Sequence, residues 1–391
     1  MKRALLPCLV LVLSGTVAAG GETAGARRVE LEASDGTKLA ASYYSSGDAP
    51  GAGILLLHQC NQDRSSWNGL ATDLAARGFH VLTLDYRGYG ESGGKSYKQW
   101  TADDQREIGG KWPGDVDTAF AYLKSQPGVR PDAFGAGGAS CGVNQSIQLA
   151  RRHPEEIKSL ALLSGFTNRE GRLFLKGARS LPLLLAAADD DQGAVQGMAW
   201  LDAASGNPKN QFLHYSSGGH GTVLFGPHPD LPREIVTWYE ATLAGKGSGK
   251  LASAKPRPDS ATIRLLVTMD EPGGPARVAA ALASERKTNP KSPLLEPGFV
   301  NQLGYGAVEA GDTRSAVAIM QVNVDARPTS ANAWDSLGDA LLAAGDRDKA
   351  LAAAEKALSL VDADPAEDKD RRELIRASAR QKVDQLKAGP K

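Results

Sequence analysis

The segment GGASCGVNQS, residues 137–146, sets a serine beside a cysteine between glycines, and either side chain is a potential nucleophile. A nucleophile presented at a sharp strand-to-helix turn needs small residues two positions before and two after it, because neighbouring chain crowds those places. Centred on Ser140, these positions hold Gly138 and Gly142. Centred on Cys141, they hold Ala139 and Val143, and valine is the wrong size. Ser140 is therefore the expected attacker and Cys141 its neighbour. A serine hydroxyl needs a base to take its proton, and the base needs an acid to orient it.

Six histidines are available as the base. His58 ends a predicted strand upstream of the serine, His80, His153 and His214 lie in or beside predicted elements, and His228 sits among prolines. His220, in YSSGGHGTVLF, follows the last predicted strand with a glycine on either side, which frees its ring to reach Ser140. The acid is expected after the strand LPLLLAAADDD, where Asp189, Asp190 and Asp191 compete. A cation site made from all three is disfavoured because adjacent side chains diverge. The sequence calls for no metal and no cofactor.

The elements that must position these residues alternate. Strands are expected at RRVELEA, KLAASYY, GILLLHQ, HVLTLDY, DAFGAGGAS, SLALLSG, LPLLLAAA and QFLHYSS. The first two read as a hairpin, and the later ones are continuously apolar, as in parallel strands buried on both faces. Helices are expected at SSWNGLATDLAARG, GDVDTAFAYLKSQ, CGVNQSIQLARRHP, DQGAVQGMAWLDAA and LPREIVTWYEATLAG. Such alternation over residues 28–245 predicts an α/β domain with a doubly wound, mostly parallel sheet whose site lies at the carboxyl ends of its strands.

Residues 246–260, KGSGKLASAKPRPDS, have a linker's composition. Residues 261–391 read as all-helical and contain a repeat. LGYGAVEAGDTRSA, from Leu303, is echoed by LGDALLAAGDRDKA, from Leu337, at an offset of 34 residues. With Trp334 ahead of Leu337 and Pro328 closing the first unit, these residues resemble the tetratricopeptide repeat (TPR). Residues 276–287 and 366–387 are expected to add a degenerate helix before the two clear units and a polar capping helix after them.

Lys plus Arg equals Asp plus Glu at 45 each, with no basic tract or acidic tail. This balance argues against nucleic acid or anionic lipid as the main partner. MKRALLPCLVLVLSGTVAAG has the cationic, apolar and small-residue order of a secretory signal, so residues 1–20 are expected to be removed and the mature chain exported, periplasmic or secreted, with no transmembrane segment. Cys8 leaves with that signal, and Cys60 and Cys141 remain in an oxidising compartment.

The elbow around Ser140, the order Ser, acid, His, and the D-x-R-G-x-G-x-S run at residues 85–92 together resemble the α/β-hydrolase superfamily, nearest to dienelactone hydrolase-like serine esterases. The resemblance implies Asp191 as the acid, by a P-x-L-x-x-x-G-x-x-D run in which Ala188 stands for the glycine. It also implies an oxyanion hole from the Cys141 N–H and a second N–H in HQCNQ, with Cys60 at the donor position, Asn61 as the alternative, and Gln59 where relatives often have glycine. Dienelactone hydrolases proper carry a cysteine nucleophile, so Ser140 departs from them. If both cysteine amides face one oxyanion, the Cα atoms fall near the disulfide range, and a Cys60–Cys141 bridge is expected. The implied function is an exported serine hydrolase for small-molecule carboxylic esters, working through an acyl-enzyme. The competing expectation is an envelope binding or scaffold protein acting through the TPR-like region, which predicts a protein partner or self-association. Peptidase or acyltransferase chemistry would use the same triad.

Overall fold

The structure, a computed structural model, describes residues 26–191, 193–364 and 368–388; the expected signal segment lies outside them. Among the described residues, nine strands form one sheet: β1 (Ala26–Glu32), β2 (Lys38–Tyr44), β3 (Gly51–Leu57), β4 (His80–Leu84), β5 (Val129–Ala139), β6 (Ile157–Leu163), β7 (Leu183–Ala188), β8 (Gln211–Tyr215) and β9 (Ala254–Lys255). Their order is β1-β2-β4-β3-β5-β6-β7-β8-β9. The run from β4 to β8 is parallel, and β1, β2 and β9 are antiparallel additions.

Side chains of a strand alternate between its faces, and here both faces are covered. Leu55 and Leu57 of β3 join one apolar core, while Ile54 and Leu56 join the other. In β7, Leu183, Leu185 and Ala187 divide from Leu184, Ala186 and Ala188 in the same way. The helices of this part are α1 (Asn68–Ala76), α2 (Ala102–Gly109), α3 (Trp112–Lys124), α4 (Cys141–Arg152), α5 (Arg169–Gly177), α6 (Ala194–Ser205) and α7 (Leu231–Leu243). Residues of α3, α4, α5 and α6 pack in the first core, and residues of α1 and α7 in the second. β3 connects to β4 on one side and pairs with β5 on the other, so the topological switch lies between the carboxyl ends of β3 and β5.

The polar segment 96–115, absent from the expected helices, contains α2. Thr101 caps it, accepting from the Asp104 N–H at 3.2 Å while the Asp104 carboxylate accepts from the Thr101 N–H at 2.7 Å. Two of its aromatic residues pack on the 85–92 turn: Tyr97 stacks on Tyr89 at 4.3 Å, and Trp112 stacks on Tyr86 at 4.7 Å.

Among the described residues, seven more helices follow: α8 (Ala261–Met269), α9 (Gly274–Thr288), α10 (Pro297–Glu309), α11 (Thr313–Ala326), α12 (Ala331–Ala343), α13 (Arg347–Leu360) and α14 (Lys369–Lys387). The 34-residue echo corresponds to two matching turns. Gly311 (φ 74°) and Gly345 (φ 79°) end α10 and α12 in the left-handed region, and Asp312 and Asp346 then cap α11 and α13 through the N–H groups of Ser315 and Lys349. A Cβ on Gly304 would lie 2.6 Å from Met320 Cγ, so the small residue sets the approach of α10 to α11.

The helical region is seated on the sheet part. Within residues 246–260, β9 pairs with the edge of β8, Leu251 is buried, and the Ser253 N–H donates to Glu234 Oε1 of α7 at 2.8 Å. Trp200 of α6 packs in the core of the helical region, and Ile263 of α8 packs in the core of the sheet part. Between them Arg172 of α5 donates to both Asp270 oxygens, at 2.7 and 3.2 Å, and its guanidinium lies 3.7 Å from the Trp200 ring. Both charged side chains are buried, at 5% and 9% exposure. Removing one partner strands the other charge, so Arg172→Met is expected to cost about 3–5 kcal/mol of stability. Urea unfolding measures it, and a loss under about 1 kcal/mol would assign the pair the weight of a surface contact.

Candidate active site

The turn at Ser140 is built by exclusion of side chains. Ser140 joins β5 to α4 at φ 53°, ψ −117°, a conformation that costs a residue with a Cβ about 1–3 kcal/mol and persists only where its surroundings impose it. They do so here. A Cβ on Gly138 would lie 2.1 Å from the Gly142 carbonyl oxygen, one on Gly142 would lie 2.2 Å from that of Leu57, and one on Gly165 would lie 2.5 Å from that of Ser140. The Ser140 N–H donates to the Leu163 carbonyl at 2.9 Å, tying the turn to the end of β6.

The three adjacent aspartates each take a different partner. Asp189 meets His214 Nε2 at 2.7 Å. Asp190 accepts from the N–H groups of Gly218 and Gly219 at 3.0–3.1 Å, which hold its carboxyl below the usual carboxylate range. Asp191 accepts from His220 Nδ1 at 2.7 Å. A carboxylate can only accept, so Nδ1 carries the hydrogen and Nε2 is left as the basic nitrogen. Asp191 is largely covered while the imidazole is 41% exposed, so the free edge of the ring is reachable.

Gly221 links the histidine to the serine. It has φ 62°, and a Cβ there would lie 3.3 Å from Ala139 Cβ, so the residue after His220 abuts the residue before Ser140. The other histidines serve packing. His80 bonds Tyr43 and the Ala49 carbonyl, His153 bonds Glu156 and Asp117, and His228 bonds the Ser217 carbonyl while stacking on Tyr215.

Across the switch point, Cys60 and Cys141 are joined by a disulfide with Cα atoms 5.8 Å apart. Cys141 opens α4, where main-chain N–H groups lack helical acceptors and point outward from the helix end. Cys60 lies in the turn closed by the Gln62 N–H on the Gln59 carbonyl at 3.1 Å. Asn61, the alternative donor position, is exposed and its side chain accepts from Gln59 Nε2 at 2.7 Å. The 85–92 turn braces this loop, because buried Asp85 accepts from the N–H groups of Arg64 and Glu91.

His58 is fully buried, with Nδ1 2.7 Å from the Gln59 carbonyl and Nε2 accepting from the Tyr86 N–H at 3.2 Å. Burial pushes its imidazolium pKa below the ordinary 6.5. The unfolded chain then takes up a proton that the folded chain refuses. Stability from this residue is complete above about pH 6.5 and falls as the pH drops below it. Urea unfolding at pH 7.5 and 5.5 should show that loss, and His58→Gln should lessen it; an equal pH dependence in the variant would remove His58 as the cause.

Two features of the site escaped the sequence reading. Gln59 appeared only as a departure from glycine, yet its buried side chain contacts the histidine loop. Glu296, at the start of α10, lines a cavity of about 400 Å³ together with Asp189, Asp191, Gly193, Val195 and Gln196, so the helical region walls the space beside Asp191. No local pattern announces a contact between residues a hundred positions apart.

The model of the alpha/beta hydrolase fold family matches residues 54–170. An uncharacterised protein of Mycobacterium tuberculosis is 32% identical over 145 residues, which is 36% of this chain and 46% of that protein. The thiohydrolase aneE of Aspergillus aculeatus is 32% identical over 113 residues, 29% of this chain and 33% of that protein. The chain thus spans less than half the length of these curated relatives. Among solved structures, the Pyrococcus furiosus esterase Pf2001 overlaps 58% of this chain and 96% of its own at 17% identity and a TM-score of 0.43. A thioesterase domain from the curacin biosynthetic pathway overlaps 54% and 98% at 13% identity and a TM-score of 0.41. With its mostly parallel sheet, its Ser140 turn and the family match over residues 54–170, the chain carries the α/β-hydrolase fold, followed by a region of many helices.

Proposed function

We propose that the protein is an exported serine hydrolase that cleaves carboxylic esters. The observation that carries this reading is the Asp191–His220 hydrogen bond beside a strained Ser140. In the proposed reaction Ser140 Oγ attacks the ester carbonyl while His220 Nε2 takes its proton. Asp191 keeps the ring in the tautomer that leaves Nε2 basic and stabilises the imidazolium. The main-chain N–H groups of Cys60 and Cys141 donate to the oxyanion that develops on the carbonyl oxygen. His220 returns the proton to the departing alcohol, leaving an acyl group on Ser140, and a water activated by the same nitrogen releases the acid.

Export rests on the signal-like N-terminal sequence and is compatible with a disulfide in the folded chain; no helix among the described residues is long and apolar enough to cross a membrane. Thioesters belong in the same substrate screen, since one relative is named a thiohydrolase and the acyl chemistry is shared. Labelling the purified protein with a fluorophosphonate, mapped by peptide mass spectrometry, tests the reading. An adduct on Ser140 is expected. Folded protein with no adduct, or with the adduct elsewhere, ends it.

A further inference from the structure

The side chain of Gln59 is fully buried, and both ends of its amide are used. Oε1 accepts from the Thr222 N–H at 2.9 Å and lies 3.1 Å from the Thr222 hydroxyl; Nε2 donates to Asn61 Oδ1 at 2.7 Å. The Thr222 N–H requires an acceptor, which fixes the amide's orientation. One side chain therefore joins two loops 163 positions apart. One carries Cys60 and the other carries His220.

The fit is close. A Cβ on Gly221 would lie 2.3 Å from Gln59 Oε1, so the amide oxygen fills the space that any larger residue after His220 would need. The Gln59 main chain is held independently, since its carbonyl meets His58 Nδ1 at 2.7 Å and receives the Gln62 N–H at 3.1 Å. Glycine at position 59, as in many proteins that this chain resembles, has no group that could span the gap.

We infer that Gln59 is a positioning residue, whose amide holds the loop of His220 in register with the loop of Cys60 and so sets the base and the oxyanion donors relative to each other. The inference rests on the serine hydrolase reading and deepens it. Gln59 itself need not touch substrate. Its loss leaves ground-state binding largely intact and misplaces groups that act together in the transition state, which appears in kcat and hardly in KM.

The test uses the whole protein and a p-nitrophenyl ester of a short acid, with folding checked by circular dichroism and urea unfolding. Gln59→Met keeps the length and removes the amide. It is expected to lower kcat by about 10²-fold, the effect of roughly 1 Å of misplacement, with KM changed by no more than about twofold. Gln59→Glu keeps an oxygen for the Thr222 N–H and, with the Asn61 amide turned to donate, is expected to recover kcat to within about tenfold of the parent. Equal kcat losses in the two variants, or an unchanged kcat in folded Gln59→Met, would overturn the inference. Should Gln59→Met not fold, Gln59→Asn takes its place with the same expected loss, because its amide is one methylene too short to serve both loops. Fluorophosphonate labelling of the parent separates the two readings. An unlabelled parent removes the hydrolase reading, whereas a labelled parent with an indifferent Gln59 variant removes only the positioning role.

Discussion

Ser140→Ala and His220→Ala are each expected to lower kcat for ester hydrolysis by about 10⁶-fold, and the double variant no further. The two side chains serve one step: a hydroxyl without its base is a poor nucleophile, and a base without its hydroxyl has nothing to activate. Their effects should therefore not add. The third member separates more finely. Asp191→Asn is expected to cost about 10⁴-fold, because an amide facing Nδ1 favours the tautomer with the hydrogen on Nε2. Asp190→Asn should cost roughly tenfold or less, since that carboxylate holds the N–H groups of Gly218 and Gly219 and acts on His220 only through the loop. Steady-state kinetics on the five variants decide it. A larger loss at Asp190 than at Asp191, or additive losses at Ser140 and His220, would sink the assignment of roles.

The second large effect is expected from the disulfide. It closes a loop of 81 positions, which in the chain-entropy description is worth about 4.5 kcal/mol of stability. Urea unfolding with and without reductant, and of Cys60→Ser/Cys141→Ser, measures that quantity. A catalytic effect should accompany it. The bridge ties the turn after β3 to the first residue of α4, and these carry the two proposed oxyanion donors. Displacing one such donor typically lowers kcat by about 10²–10³-fold. Reduced protein, kept folded at low temperature and low denaturant, is therefore expected to lose activity before it loses structure. Full activity in reduced, folded protein would make the bridge a staple for stability alone.

Much of the fold was legible because its signals are local. β3, β7 and the Leu160–Leu163 half of β6 are continuous apolar runs, as a strand buried on both faces requires, since its side chains alternate between two cores. The 34-residue echo was readable because each unit repeats the same glycine turn and aspartate cap. Helix α2 was missed: Thr101 and Asp104 stand at capping-box spacing, but the segment has no apolar period to mark it as a helix. The short β9 was not readable, because two residues carry no period and their strand conformation comes from the edge of β8.

In the candidate site, the sequence by itself determined which residue stands at the elbow. Only positions two before and two after a serine had to be small, and that requirement is met within five residues of chain. It also narrowed the histidine to one flanked by glycines. Tertiary structure decided the rest. Three consecutive aspartates are equivalent as a string, yet on a turn their side chains leave in different directions, and only the folded loop brings Gly218, Gly219, His214 and His220 to meet them. The partner of Gln59 and the place of Glu296 beside Asp191 were decided in the same way, by segments far apart in the chain that the packed sheet and the seated helices bring together. Local chemistry is written in spacing, whereas a pairing between distant loops exists only once the cores on both faces of the sheet have fixed where those loops begin and end.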